Sequence, residues 1–230
     1  IIYFINCNIK DVNILKIVSF FNVKGGVGKT TLTILTAIKL SKQGNKILII
    51  DADTQANLTQ FMYKIVHNKK TMFEALTDNS SAKEVIIHSP MSEYPNMDLI
   101  PSDLSLSVLS EFLTTKTNRE KAVWRWFKGN IDELKDYDYI FIDCPPSLGI
   151  LTINSLTAVD SVLIPIQCEF YALEGLSQLM RTVGLVQKNL NPSLQLEGVV
   201  LTMFDARTNL SIQVVDEVKN HFRNKVYRTI

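Results

Sequence analysis

The segment that decides the fold of this chain reads Lys24-Gly25-Gly26-Val27-Gly28-Lys29-Thr30-Thr31. A β-rich apolar run over residues 16–22 precedes it, and apolar residues at helical spacing over residues 30–43 follow it. Glycine lets the backbone N–H groups of such a loop turn inward around phosphate oxygens, and the following helix adds its positive N-terminal end. The segment therefore predicts a phosphate-binding loop between a strand and a helix.

Three side chains of this loop are predicted to contact a nucleotide and its metal ion. Lys29 is expected to bind the β- and γ-phosphates, the Thr30 hydroxyl to ligate Mg²⁺, and Thr31 to donate to the α-phosphate. A glycine-rich turn without a ligand is disfavoured because strand, loop, Lys-Thr pair and helix all agree. Val23 stands where the common pattern has its first glycine. Lys24, which that pattern does not require, is either a solvated loop charge or a group that reaches a neighbouring subunit's nucleotide.

Apolar runs and helical patterns alternate along the whole chain. Strands are predicted over residues 16–22, 46–50, 97–100, 139–142, 161–166 and 196–204. Helices are predicted over residues 30–43, 119–128, 150–157, 172–189 and 209–223. Because nearly continuous apolar runs suit parallel strands, the pattern predicts an α/β fold: a doubly wound, mostly parallel sheet with helices on both faces. The least regular stretch, 67–95, is expected to hold surface helices and loops.

Composition and charge exclude several classes of protein. The 230 residues are 46% hydrophobic and 20% charged, which supports a sizeable core and excludes intrinsic disorder. A net charge of +1 excludes a protein that coats nucleic acid through bulk charge, although a local basic patch stays open. The three cysteines are too few and too far apart for a disulfide framework or a Cys-rich zinc site, and a reducing cytosol is the simplest compartment. No run approaches the roughly 18 apolar residues of a membrane span.

We expect one domain over residues 15–230, since no repeat, low-complexity tract or linker interrupts it. Residues 1–14 have neither the basic region nor the cleavage site of a signal peptide, and are predicted to be an extension or an artefact. Residues 226–230 resemble the start of another strand, so the domain is expected to be truncated at its C-terminus.

Four later blocks follow the loop in order along the chain. They occupy residues 48–57, 139–149, 165–176 and 201–210. The loop and the first two blocks resemble the deviant Walker A motif, the second motif and the Walker B segment of the ParA/MinD superfamily of P-loop ATPases. The last two blocks resemble segments typical of the chromosomal ParA proteins called Soj. The likeness covers about residues 15–230, so the set as a whole resembles the ParA/Soj family.

Three carboxylates lie at or just beyond the ends of predicted strands. Their expected roles follow from this position and from the family resemblance. Asp143 lies at the carboxyl edge of the predicted sheet, where it could hold Mg²⁺ directly or through a water. The family residue that matches Asp53 orients or activates the water that attacks the γ-phosphate, which suits phosphoryl transfer by positioning and charge neutralisation. Asp51 is expected to support the site or to cap Thr54 and the following turn. The catalytic residues implied are Lys24, Lys29 and Asp53.

The resemblance also assigns roles to residues that could face a second molecule. Lys24 matches the signature lysine that reaches across a sandwich dimer to the partner's ATP. Glu169 matches a position that approaches the partner's nucleotide ribose, with a helix-capping acid as the alternative. Arg207 matches an arginine that contributes to sequence-independent DNA binding, with a solvated surface charge as the alternative. The nucleotide-binding set implied comprises Lys24, Gly25, Gly26, Val27, Gly28, Lys29, Thr30, Thr31 and Glu169.

The resemblance implies a DNA-partitioning ATPase that uses ATP and Mg²⁺. ATP would drive a sandwich homodimer, the dimer would bind double-stranded DNA without sequence preference, and a ParB-type centromere-binding protein would stimulate slow hydrolysis and release. Such a protein is expected in the cytoplasm on the nucleoid, without stable membrane association. The alternative is a MinD-like, membrane-associated spatial regulator, which would use a C-terminal amphipathic helix. An iron–sulfur reductase is rejected because Cys144 and Cys168 lack that family's sequence context.

Overall fold

The computed structural model of the protein describes residues 15–63, 69–169 and 172–227. Its strands are β1 Lys16–Phe20, β2 Ile47–Asp51, β3 Met97–Ile100, β4 Tyr139–Asp143, β5 Ser161–Gln167 and β6 Gln195–Thr202. Each predicted strand is confirmed, with its ends shifted by at most two residues. The predicted extension over residues 1–14 lies outside the described residues.

The helices are α1 Lys29–Lys42, α2 Asn57–Met62, α3 Met72–Thr77, α4 Ala82–Val85, α5 Leu109–Thr114, α6 Ala122–Gly129, α7 Ile131–Leu134, α8 Ile150–Ala158, α9 Ala172–Asn189 and α10 Asn209–Phe222. Shorter 3₁₀ turns cover Leu104–Val108, Arg119–Lys121 and Arg223–Lys225. The predicted helix over 119–128 is therefore a 3₁₀ turn followed by α6. The sequence did not predict α2, α5 and α7, because helices of four to six residues are too short to show a 3.6-residue period. No helix in the described part of the chain is long and apolar enough to cross a membrane.

The irregular stretch between β2 and β3 contains the short helices α3 and α4. Each begins with a capping box, formed by Thr71 with Glu74 in α3 and by Ser81 with Glu84 in α4. Both helices also bury apolar residues in the core, so they are more than surface decoration. The capping boxes stabilise helices that are too short to be stable alone.

All the described strands run parallel in one sheet, in the order β3-β2-β4-β1-β5-β6. This confirms the predicted α/β fold. Because β4 lies between β1 and β2, the carboxyl ends of these three strands adjoin at one edge of the sheet. The register sets Asp143 of β4 opposite Asp51 of β2 and opposite Phe20 of β1. The glycine-rich loop and both acidic segments therefore meet at that edge.

Apolar side chains cover both faces of the sheet. In β2, Ile47 and Ile49 pack on one face with residues of α1, whereas Leu48 and Ile50 pack on the other face with residues of α6 and α8. Successive side chains of a strand point to opposite faces, so five consecutive buried residues need helices on both sides. The continuous apolar run that the sequence shows is the direct consequence.

A buried asparagine joins two helices on the face opposite α1. Asn154 of α8 is fully buried, and its Oδ1 accepts a hydrogen bond from the Ala122 N–H at 2.7 Å, at the start of α6. Its Nδ2 donates to the Arg119 carbonyl at 2.9 Å. The Asn154 side chain thus provides a hydrogen-bond partner for a backbone N–H in the first turn of α6 and fixes that helix against α8.

Asn154→Ala is expected to lower the free energy of unfolding by about 1–3 kcal/mol, because the Ala122 N–H and the Arg119 carbonyl lose their partner. Chemical denaturation followed by circular dichroism measures this loss. The control is Asn189→Ala, which removes a hydrogen bond to the Leu185 carbonyl on an exposed part of α9. We expect the control to change stability by less than about 0.5 kcal/mol. Equal losses in the two variants would contradict the capping role of Asn154.

Candidate functional site

The predicted phosphate-binding loop joins β1 to α1, and its glycines shape it. Gly26 has a φ of +76° and Gly28 a φ of +92°, a left-handed backbone that other residues rarely adopt. Gly28 is the N-cap of α1 and offers no side chain to the first N–H groups, and the first turn of α1 contains no acidic residue. These N–H groups and the helix dipole favour an anion at this end of α1.

Two polar side chains hold the loop against neighbouring strands. Asn22 donates from Nδ2 to the Pro165 carbonyl of β5 at 2.7 Å, and its Oδ1 accepts from the Lys24 N–H at 3.0 Å. Thr202, the last residue of β6, donates from its hydroxyl to the Val27 carbonyl at 2.9 Å. The protein itself therefore fixes the loop at its start and at its middle.

Lys29, the first residue of α1, spans the loop. Its side chain is buried, and Nζ donates to the Lys24 carbonyl at 3.0 Å. Burial lowers the pKa of Lys29, and the neighbouring Asp143, Cys144 and Asp53 act in the opposite direction. A cation held inside a glycine-rich loop is suited to contact phosphate oxygens.

Thr30 and Asp143 form the candidate magnesium site. The Thr30 hydroxyl donates to Asp143 Oδ2 at 2.6 Å, whereas the buried Oδ1 has no hydrogen-bond partner among the described residues. Burial raises the pKa of Asp143 to about 7, against the Thr30 hydrogen bond and the Lys29 charge, which lower it. A buried oxygen without a partner is unfavourable unless it is ligated, and hydroxyl and carboxylate oxygens are ligands that Mg²⁺ prefers. These residues therefore fit Mg²⁺.

A magnesium ion at this position would need further ligands from phosphate and water. In the ranges that the structure describes, no group of three or more His, Cys, Asp or Glu side chains could hold a metal ion. Mg²⁺ commonly keeps several waters and binds one or two protein groups together with substrate phosphates. The donor set formed by one hydroxyl and one carboxylate matches that mode of binding.

The Asp53 carboxyl lies beyond the end of β2. Asp53 Oδ1 accepts from the Gln55 N–H at 3.0 Å, and the Asp53 N–H donates to Asp51 Oδ1 at 3.1 Å. Asp51 is fully buried, and burial raises its pKa to about 6. Its hydrogen bonds go to Asp53 and Thr59, so Asp51 supports the segment that carries Asp53.

Lys24 and Glu169 form an ion pair within the chain. Their side chains are 45% and 30% exposed, so the pair lies at the protein surface. Lys24 begins the loop after β1, and Glu169 follows the adjacent strand β5. The two residues that the family resemblance directs toward a partner's nucleotide thus contact each other in the single chain.

Arg207 lies on the exposed loop after β6. Its Nε donates to Asp205 Oδ1 at 2.9 Å, and its Nη2 donates to Asp205 Oδ2 at 2.7 Å. The Arg207 side chain is 88% exposed. Exposed basic residues continue along α10 and the 3₁₀ turn after it, at Lys219, Arg223 and Lys225.

Several known proteins resemble this chain over nearly its whole length. A family model described as an AAA domain matches residues 15–196. The sporulation initiation inhibitor protein Soj of Bacillus subtilis (strain 168) is 46% identical over 217 residues, which cover 94% of this chain and 83% of that protein. The chromosome partitioning protein ParA of Caulobacter vibrioides (strain NA1000 / CB15N) is 42% identical over 95% of this chain and 80% of that protein. The chain belongs to the ParA/Soj family of P-loop ATPases.

Solved structures resemble this ParA/Soj chain in fold. Cobyrinic acid a,c-diamide synthase from Mycobacterium smegmatis, solved with an ATP analog and magnesium, has a TM-score of 0.82 at 33% identity. The match covers 91% of this chain and 84% of that chain. A plasmid partition protein from Borrelia burgdorferi has a TM-score of 0.78 at 32% identity and matches over 92% of this chain and 87% of that chain. The TM-scores of both matches support the α/β fold described above.

The sequence did not predict several side chains that hold the site of this ParA/Soj protein in shape. Asn22 and Thr202 could have been suspected, because polar residues near the carboxyl ends of apolar strands lie at the binding edge of such a sheet. Ser102 follows the predicted strand over residues 97–100 and carries the same signal, whereas Thr59 gives none. Their hydrogen bond joins segments that are 43 residues apart, and only the fold brings them together.

Thr202→Val is expected to weaken ATP binding about five-fold, because it keeps the shape of the side chain but removes a hydrogen bond worth about 1 kcal/mol to the loop. Titration with a fluorescent ATP analogue measures the dissociation constant. The control is Thr182→Val, since the Thr182 hydroxyl donates to the Gln178 carbonyl within α9. An unchanged affinity in Thr202→Val would show that this hydrogen bond does not shape the binding loop.

Proposed function

We propose that this chain binds and hydrolyses ATP with Mg²⁺ as the switch of a DNA-partitioning system. The observation that carries the proposal is the hydrogen bond from the Thr30 hydroxyl to Asp143 Oδ2. The other carboxyl oxygen, Asp143 Oδ1, is buried without a hydrogen-bond partner among the described residues. The ATP analog and magnesium in the structure of the mycobacterial relative support the same ligands here. Similarity to Soj and to the chromosome partitioning protein ParA supports the partitioning role.

The loop residues bind the triphosphate in this proposal. The glycine backbone and the N-terminus of α1 surround the phosphates, Lys29 contacts the β- and γ-phosphates, and Thr31 donates to the α-phosphate. Thr30 and Asp143 would hold Mg²⁺, which supplies positive charge against the phosphate oxygens. Asp53 orients the attacking water. Positioning and charge neutralisation of this kind are the main contributions of a protein to phosphoryl transfer.

Lys24 connects ATP binding to dimerisation in this proposal. A partly exposed ion pair such as Lys24 with Glu169 contributes only about 0–1 kcal/mol, so exchanging Glu169 for a phosphate costs little. Two triphosphates that face each other in a sandwich dimer repel, and a lysine from each subunit lowers that repulsion. Released from Lys24, Glu169 would approach the ribose of the partner's nucleotide. Dimerisation then requires ATP.

Lys24→Ala is expected to retain ATP binding and to lose ATP-dependent dimerisation, because the cross-subunit charge is absent. Size-exclusion chromatography with light scattering, with ATP, with ADP and without nucleotide, measures the mass of the particle. Lys135→Ala removes an exposed lysine that pairs with Asp132 on α7 and serves as the control. A Lys24→Ala protein that forms the ATP dimer as well as the wild type would show that Lys24 does not bridge the subunits.

DNA binding would follow from the exposed basic residues near α10. Arg207, Lys219 and Arg223 are exposed, and phosphate contacts of this kind bind DNA without sequence preference. A dimer would double these contacts and so raise the affinity of the ATP state. A ParB-type partner would stimulate hydrolysis, return the chain to monomers and release the DNA. The protein would then be cytoplasmic and associated with the nucleoid.

Arg207→Ala is expected to weaken ATP-dependent binding to two unrelated DNA duplexes equally, and to reduce the slope of log K against log salt by about one per subunit contact. Fluorescence anisotropy at several salt concentrations measures both quantities. Arg125→Ala, on the exposed side of α6, is the control. If the wild type binds ATP but not DNA at any salt concentration, the DNA-partitioning role is wrong. Binding to liposomes under the same conditions would favour the MinD-like alternative.

A further inference from the structure

Hydrogen bonds hold the backbone of Asp53 on both sides of its Cα atom. Its N–H donates to Asp51 Oδ1 at 3.1 Å, and its carbonyl accepts from the Ser102 hydroxyl at 2.6 Å. The same carbonyl accepts from the Ala56 N–H at 3.0 Å, which closes the turn that follows. Asp51 belongs to β2, whereas Ser102 lies two residues beyond β3. The backbone that carries the Asp53 carboxyl is therefore fixed by two neighbouring strands.

Thr59 closes these contacts into a ring. Asp51 Oδ2 accepts from the Thr59 N–H at 2.9 Å and from the Thr59 hydroxyl at 2.7 Å. The Thr59 hydroxyl oxygen in turn accepts from the Ser102 N–H at 2.9 Å. Asp51, Thr59 and Ser102 are each no more than 1% exposed. Buried hydrogen bonds that satisfy one another in this way hold their members in a single geometry.

Packing alone does not hold the turn after Asp53. A cavity of about 500 Å³ lies beside it, between residues 54–60 and residues 102–105. Thr54, Gln55 and Ala56 line one side of this cavity, and Ser102 lies on the other. Because the turn borders open space, a lost hydrogen bond would let it move rather than leave it clamped by neighbouring side chains. The Ser102 hydroxyl is therefore one of the contacts that set the direction of the Asp53 carboxyl, together with the Gln55 N–H that donates to Asp53 Oδ1.

We propose that Ser102 is a positioning residue for ATP hydrolysis, which fixes the Asp53 peptide and so aims the Asp53 carboxyl at the attacking water. This inference rests on the proposed role of Asp53. Ser102 itself contacts neither nucleotide nor water in the reaction. Displacing a catalytic group by about 1 Å can cost about 100-fold in rate, so a small movement of this turn would be measurable.

Ser102→Ala is expected to lower kcat for ATP hydrolysis about 10- to 100-fold while the dissociation constant for ATP stays within about two-fold of the wild type. Ser102→Thr keeps the hydroxyl that donates to the Asp53 carbonyl and is therefore expected to recover most of the rate. Single-turnover hydrolysis of labelled ATP measures the rate. Ser161→Ala is the matched control, because Ser161 is also buried and its hydroxyl donates to Glu197. Ser161 is the first residue of β5 and therefore lies at the edge of the sheet opposite the site.

Further variants separate this inference from the role of Asp53. Asp53→Ala should lower hydrolysis to a small residual rate, and Ser102→Ala in that background should not lower this residual rate further, because the two residues act as one unit. If Asp53→Ala falls to a residual rate but Ser102→Ala hydrolyses ATP normally, the role of Asp53 stands and that of Ser102 is wrong. If Asp53→Ala is fully active, both are wrong. A Ser102→Ala protein whose ATP affinity falls as much as its kcat would also overturn the positioning role, since the defect would then be structural.

Discussion

The parallel pairing of β4 with both β1 and β2 is the constraint on which the rest of the structure depends. It brings three strand ends together, and each leads into a different part of the site: the glycine-rich loop, Asp143, and the segment from Asp51 to Asp53. A slip of one residue in this register would turn each side chain of the strand to the opposite face. Burial of apolar residues on both faces therefore fixes the geometry of the site as well as the core.

Beyond the ends of the strands, side chains rather than the sheet provide hydrogen bonds to the backbone. Backbone groups in the loops beyond the sheet are partly buried and still need partners. Asn22, Thr202 and Ser102 supply those partners from adjacent strand ends or from the loops that follow them. Each such hydrogen bond contributes only about 0.5–1.5 kcal/mol. Together these hydrogen bonds hold the loops in defined shapes at the carboxyl edge of the sheet.

At the carboxyl edge of the sheet, the buried carboxyl groups of Asp51 and Asp143 are not fully compensated by positive charge from the same chain. Burial raises the pKa of Asp51 to about 6 and that of Asp143 to about 7, although the buried Lys29 lies among these groups. Raised values mean that burial disfavours the ionised carboxylates more than nearby donors and cations stabilise them. A divalent cation at Asp143 would restore the balance. In the proposed cycle Lys24 adds no charge to its own site, because it lies at the surface and is directed to a second molecule.

The sequence by itself determined the fold class, the six strands, the longer helices, the position of the glycine-rich loop before Lys29 and Thr30, and the position of Asp143 at the end of an apolar strand. These features depend on local periodicity and short spacings, which a single sequence displays. Only the tertiary structure decided the short helices, the pairing of Lys24 with Glu169, the bond from Thr202 to Val27 and the ring that contains Ser102. The physical reason is distance along the chain: the Thr202 and Val27 partners are 175 residues apart, and strand order rather than any local pattern brings them into contact.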